Sequence, residues 1–368
     1  MATKYFMTGV TGLVGSAVVV GLVRDKADCE FVCLVRSGGG QTAAARAEAA
    51  LREECAFEGL PELTDEVLRR VSVIDGNLAD LDVEAVAANP LMAGVNQVFH
   101  CAAAVNLGKD PTGRVYRVNY EGTRNMVELA KRIGAKEFHF VATAYVAGKL
   151  EGTFYEKEPT LEYGFNNPYE ESKCKAELLV REAGIPFTVY RPAIIVGRST
   201  DGRIRRALAF YRILEFLKAL RDRKAARAGE DAEGFVDMRM NCRAVPSNCI
   251  YFTPIDYVQE AIVKLIRDPA KGITYNVTGA SPISVPQIWE AVRSVYRIKG
   301  ITVGLDEDTG TVEERMFTKF VGDLFPYFSS QIVFDQTNIA RDWPQCAQWS
   351  YGLEDLKKLV RSYLEENA

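Results

Sequence analysis

The chain has 368 residues, 48% of them hydrophobic and 26% charged, and its net charge is −4 at neutral pH. That length fits two modest domains or one large α/β unit with an appendage, with apolar content ample for a core. The mixed charge excludes a bulk basic field for nucleic acid, and no apolar run reaches the roughly 18 residues that a membrane-spanning helix needs.

Residues 4–8 read as a short buried strand, and no signal peptide is expected ahead of them. Gly9-Val10-Thr11-Gly12-Leu13-Val14-Gly15 follows, and Ser16 to Val23 continues as an apolar helix. Strand, glycine turn and helix together are the context for dinucleotide binding. The glycines allow a tight turn and a close approach of backbone to a pyrophosphate at a helix N-terminus. The spacing is GxxGxxG, which makes Gly9, Thr11, Gly12, Leu13, Val14 and Gly15 candidate cofactor contacts.

Glu30 to Val35 is the second strand and ends in Arg36. An acidic residue there would bind the ribose 2′-hydroxyl of NAD, whereas Arg36 favours the 2′-phosphate of NADP. Arg46 is either a second phosphate contact or part of the exposed face of a helix over 42–58. Residues 71–78 form the third strand and the turn beyond it, with Asn77 and Leu78 as further cofactor candidates. Asn77 either bonds an adenine edge or is an ordinary turn residue. Gln97 to Cys101 is the fourth strand, and Ala102, Ala103 and Ala104 let backbone pass close to a flat ligand. A helix spans 114–133 and carries Asn119. Glu137 to Ala144 is the fifth strand, with Thr143 at its end and His139 as a structural residue inside it. The helix from Tyr169 to Ala183 follows, then a sixth strand, Phe187 to Arg191, which Pro192 to Gly197 extends.

Alternating strands and helices argue a doubly wound parallel sheet of the Rossmann type, with ligands beyond the C-terminal strand ends. The expected division is a cofactor domain over 1–200 and a smaller substrate-binding region over 201–368, some of it returning to the first domain. Residues 203–227 carry nine basic side chains against two acidic ones, with Ile204, Leu208, Tyr211, Leu214 and Leu217 at helical spacing. That helix has either a solvated charged face or a docking surface for an acidic carrier protein or a phosphate-bearing acyl donor. Gly229 to Gly234 reads as a loop. A helix runs from Tyr251 to Arg267, a strand from Thr274 to Thr278, a helix from Ser284 to Tyr296, and a terminal helix from Leu353.

Eight cysteines without CxxC spacing read as reduced thiols of a cytoplasmic protein, and two histidines are too few for a multi-histidine metal site. No metal is expected.

Tyr169 and Lys173 lie one helical turn apart on one face. A nearby cation lowers a phenol pKa, so the pair reads as a proton-transfer device. Gly9-x-x-Gly12-x-x-Gly15, Asn119, Thr143 and Tyr169-x-x-x-Lys173, in this order, resemble the extended short-chain dehydrogenase/reductase superfamily. Leu34-Val35-Arg36 and Ala142-Thr143-Ala144-Tyr145-Val146-Ala147-Gly148 resemble its thioester reductase branch. That branch holds the terminal reductase domains of carboxylic acid reductases and nonribosomal peptide synthetases, and the fatty acyl-CoA reductases. The branch's usual Gly-Asp is here Gly76-Asn77, and the thioester is expected to come from a separate molecule. The resemblance implies NADPH across the glycine turn, Thr143 and Tyr169 at the substrate carbonyl, and Lys173 on the nicotinamide ribose. Asn119 is implied to position Lys173 or a relay water. It implies reduction of a carrier- or CoA-bound acyl thioester to an aldehyde, and with a second hydride to an alcohol. A ketone or hydroxysteroid oxidoreductase, a sugar-nucleotide epimerase and a non-catalytic nucleotide sensor are the other readings.

Overall fold

Tyr5, Phe6 and Met7 are bulky and apolar, and Thr3–Thr8 forms strand β1 with its last four residues buried. The structure is a computed structural model and describes residues 3–228, 231, 233–279, 281–305 and 310–367. The expected loop at 229–234 lies in part outside the described residues. The chain divides into two compact units. One takes the residues up to Ala193, then Asp256–Val277 and Phe334–Cys346; the other takes Ile194–Ile255, Thr278–Val333 and Ala347–Ala368.

The first unit is built on one seven-stranded sheet. After β1 come β2 (Cys29–Val35), β3 (Val71–Asp75), β4 (Gln97–His100), β5 (Glu137–Val141), β6 (Phe187–Pro192) and β7 (Ile273–Val277). Their spatial order is β7-β6-β5-β4-β1-β2-β3, and every pairing is parallel. The doubly wound sheet expected from the alternation is therefore present, and the short strand expected at 274–278 is its edge strand β7. Helices α1 (Leu13–Arg24) and α2 (Ala43–Phe57) connect β1, β2 and β3. Phe6, Val98, Phe138, Phe140 and Val189 bury one continuous core with Met126, Leu129 and Val180 of the covering helices. The strand order reverses between β1 and β4, where an open α/β sheet leaves its ligand crevice.

The helix expected over 114–133 is interrupted. Arg114–Tyr116 is α-helical, Arg117–Glu121 is a π turn, and α3 (Gly122–Arg132) resumes the α-helix. Such single-turn bulges re-aim one side chain, and this one contains Asn119. Asn167 starts α4 (Pro168–Arg181): its side chain accepts from Glu170 N at 3.0 Å, and Pro168 takes the first helical position.

In the second unit, α5 (Tyr211–Ala228) is shorter than the helix expected from 203–227. Residues 203–210 form turns instead, with Arg203 O accepting from Arg198 N at 2.8 Å and Leu208 half exposed. The cations of α5 are largely spent within the unit. Arg212 pairs with Asp323 at 2.6 Å, Lys218 with Asp222 at 3.1 Å and Lys224 with Glu313 at 3.4 Å. Residues 251–254 are not helical either. Phe252–Pro254 pairs in parallel with Ile194–Val196, so that β6 runs only one residue past Arg191, to Pro192, and Ile194–Val196 belongs to this small sheet. A proline lacks the donor a helix interior needs and pushes its predecessor toward extended backbone, so the helix starts only at Ile255. Strands Val236–Cys242 and Ile298–Val303 pair in parallel. Helix α6 (Val285–Tyr296) opens with a capping box between Ser284 and Gln287, and the terminal helix α7 covers Leu353–Glu366. Among the described residues no helix is long and apolar enough to cross a membrane. The eight cysteines are free thiols.

Candidate active site

Gly9 ends β1 with φ +86°, and Gly12 N donates to its carbonyl at 2.8 Å, closing the turn. A Cβ on Gly9 would lie 2.8 Å from Ala102 N, and one on Gly15 would collide with the Gly9 carbonyl. Glycine is thus required where the turn, the loop after β4 and the first turn of α1 meet. The helix starts at Gly12 without a side-chain cap. The N–H groups at a helix start have no intrahelical acceptor, which suits an anion beyond Thr11, Gly12, Leu13, Val14 and Gly15. These residues fit the pyrophosphate of a dinucleotide.

Arg36 is exposed at the end of β2, and Arg46 on α2 reaches back to donate to the Arg36 carbonyl. Two guanidinium groups therefore share one strand end. Next to them Ser37 N donates to Asp75 Oδ1 at 2.9 Å, and the Ser37 hydroxyl donates to the other carboxylate oxygen. These bonds hold the Asp75 carboxyl below its usual range. Asn77 uses its amide locally. Its oxygen accepts from Ala79 N at 3.4 Å and its nitrogen donates to Asp80 at 2.6 Å. Leu78 is buried under α3, and its carbonyl accepts from Asn125 at 2.9 Å.

Ala102, Ala103 and Ala104 leave β4 in the crevice. Asn119, from the π turn, holds that segment by both backbone groups: Oδ1 accepts from Ala104 N at 2.7 Å, and Nδ2 donates to Ala104 O at 3.1 Å. The same Nδ2 donates to Ser172 Oγ at 3.0 Å, and Ser172 donates to the Tyr169 carbonyl at 2.9 Å. Asn119 thus acts on α4 through Ser172.

Thr143 follows β5 in extended conformation, its hydroxyl donates to the Pro192 carbonyl at 3.4 Å, and it lies near the Tyr169 phenol. Lys173, almost fully buried, donates from Nζ to the Val141 carbonyl at 2.7 Å and stands 4.1 Å from the centre of the Phe140 ring. Burial pushes the Tyr169 phenol up to about 12, the Thr143 hydroxyl only partly opposing it. The expected lowering by Lys173 is not found: its ammonium is committed to the Val141 carbonyl, and burial dominates the phenol. Burial also brings the Lys173 ammonium down to about 8. His139 lies buried in β5 with Nδ1 3.2 Å from the Tyr190 hydroxyl, as a structural residue would.

Thr8, His100, Thr123 and Ser172 are not among the site residues expected from the sequence, yet they connect these groups. Thr8 and His100 are register partners at the ends of β1 and β4. A strand-end polar pair at a switch point was the signal available.

Residues 7–262 match the family described as Male sterility protein, an NAD-binding family. The chain belongs to this family. With that membership and this fold it is an NAD(P)-binding oxidoreductase domain of the extended short-chain dehydrogenase/reductase class. It is 28% identical over 288 residues to the non-canonical nonribosomal peptide synthetase FrzA of Cladobotryum sp, covering 74% of this chain and 26% of that protein. It is 26% identical over 221 residues to the fatty acyl-CoA reductase wat of Drosophila melanogaster, covering 52% of this chain and 42% of that protein. The chain therefore spans less than half the length of these relatives. The terminal R domain from the myxalamid PKS-NRPS biosynthetic pathway shares its fold, with a TM-score of 0.78, 21% identity, and coverage of 100% of this chain and 91% of that one.

Proposed function

We propose that the chain reduces the carbonyl of an acyl thioester, presented by a carrier protein or coenzyme A, and prefers NADPH. The observation that carries this reading is the gathering of Tyr169, Thr143 and buried Lys173 at the crevice end of the sheet. The kinship with a fatty acyl-CoA reductase and with a nonribosomal peptide synthetase supports a thioester as substrate. Arg36 and Arg46 support a 2′-phosphate.

When bound, the reduced nicotinamide supplies hydride. The two hydroxyls stabilise the negative charge that grows on the substrate oxygen. Tyr169 stays protonated at neutral pH and gives that oxygen its proton. Asn119 and Ser172 keep Tyr169 at a fixed place on α4, and Lys173 provides a cation beneath it. The hemithioacetal formed on the substrate then breaks its carbon–sulfur bond. The thiol leaves with the hydroxyl proton, and the aldehyde remains.

The test is NADPH oxidation with an acyl-pantetheine thioester, run beside the corresponding methyl ketone, with released thiol titrated. One thiol is expected per aldehyde formed. Turnover of the ketone alone, without thiol, would remove the thioester reading and leave a ketone reductase.

A further inference from the structure

His100 is fully buried between Thr8 and Thr123 and has no place in the proposed chemistry. Its ring stacks on Phe140 at 5.6 Å, the ring that Lys173 also faces. Nδ1 lies 2.6 Å from Thr8 Oγ1, and Nε2 lies 3.0 Å from Thr123 Oγ1. Counting protons along these contacts settles the direction of each bond.

Thr8 Oγ1 accepts from Cys101 N at 3.2 Å and from Ala102 N at 3.1 Å. A hydroxyl has two acceptor sites and one proton. With both sites taken, Thr8 donates its proton to His100 Nδ1. Thr123 donates its own proton to the Asn119 carbonyl at 2.5 Å, so it accepts from His100 Nε2–H. The opposite tautomer would put a third donor on Thr8 and ask Thr123 for a second proton. Burial, with the Lys173 charge adding to it, holds His100 well below the usual histidine range, so the ring carries one proton.

The links therefore run one way, from the Cys101 and Ala102 amides through Thr8, His100 and Thr123 to the Asn119 carbonyl. The Asn119 side chain in turn donates to the Ala104 carbonyl and to Ser172, which donates to the Tyr169 carbonyl. Each end of the run is backbone that borders the crevice. Remove the imidazole and the Cys101–Ala102 end of the segment loses its tie to the π turn, leaving only the bonds of Asn119 to Ala104.

We propose that His100, as the neutral Nε2–H imidazole, is a positioning residue that sets the Ala102–Ala104 segment and Asn119 in register with Tyr169. The proposal rests on Tyr169 being the proton donor of the proposed function. Its own geometry, however, is testable without any substrate.

Two variants at Thr123 separate the hydroxyl from the methyl group. Thr123→Val keeps the volume and removes the link; Thr123→Ser keeps the link and removes a methyl. The expected result is a kcat roughly 10-fold or more lower for Thr123→Val, since small misplacements of reacting groups are costly. The substrate KM stays within about threefold, and Thr123→Ser keeps a kcat within about threefold of the parent. The reverse order, with Val tolerated and Ser impaired, means a packing role and overturns the proposal. Nitrogen-15 spectra of the unmodified protein provide a second readout, because His100 and His139 are its two histidines. His100 is expected to keep the neutral Nε2–H pattern from pH 5 to 9. An Nδ1–H pattern, or titration near the ordinary pKa of about 6.5, overturns the proposal. If the parent protein turned over no thioester while His100 showed the expected pattern, the substrate reading would fall and the tautomer assignment would stand.

Discussion

Tyr169 shows how far a side chain can be read from its neighbours in sequence. The helical spacing to Lys173 was legible, and it put the phenol and the ammonium on one face of α4. Its ionisation was not legible, because burial decides it and burial comes from the whole fold. A phenol at about 12 is a poor base but a fully protonated donor at neutral pH. Reduction needs a donor. Replacing Tyr169 by Phe is therefore expected to lower turnover by at least about 100-fold, the low end for general acid catalysis. The ring and its packing remain, so calorimetric titration should give a dinucleotide affinity close to that of the parent. Near-parental turnover would mean that another group supplies the proton.

At the level of elements, the strands that carry the site were found wherever an apolar run met a glycine or small-residue turn. β1 with its turn and α1 is one case, and β4 with its alanines is another. Elements whose local pattern was overruled were missed. The π turn at Arg117–Glu121 looks like plain helix in sequence, since the bonds of Asn119 to Ala104 come from 15 residues away. For the basic run before and within α5 the sequence left a solvated face and a docking surface both open, because acidic partners such as Asp323 and Glu313 lie far along the chain. The junction of β2 and α2 gives a prediction at this scale. Arg36 at the strand end and Arg46 on the helix meet through a backbone bond, and the proposed preference for NADPH rests on these two cations. The double replacement Arg36→Ala with Arg46→Ala should weaken NADPH binding by about 10-fold or more, roughly one charge-assisted hydrogen bond or better. NADH binding should hardly change. Equal losses for both dinucleotides would place these residues outside the phosphate site.

The molecule as a whole depends on returns of the chain that no local pattern announces. After leaving the first unit at Ala193 the chain comes back over Asp256–Val277, and again over Phe334–Cys346. Glu156 binds both returning segments. One carboxylate oxygen accepts from Asn276 N on β7 at 2.8 Å, the other accepts from Asn338 N, and the Glu156 carbonyl accepts from Asn338 Nδ2 at 3.2 Å. Burial nevertheless pushes this carboxyl up to about 7, the two amide bonds opposing it and Asp335 adding to it. A folded-state pKa above the ordinary value of 4.5 means that the folded protein keeps a proton the unfolded chain has released. That contribution to stability is complete at pH below about 4.5, shrinks as pH rises, and is gone above about 7. His100 and Lys173 titrate in their own windows, but they are present in both proteins of a parent–variant pair and cancel in the difference. The stability lead of the parent over Glu156→Gln, from urea unfolding between pH 5 and 8, should therefore fall with rising pH by up to a few kcal/mol and level off above about 7. Stability curves that run parallel across this range would show that Glu156 ionises as it does in the unfolded chain. The amide bonds to Asn276 and Asn338 would then balance its burial.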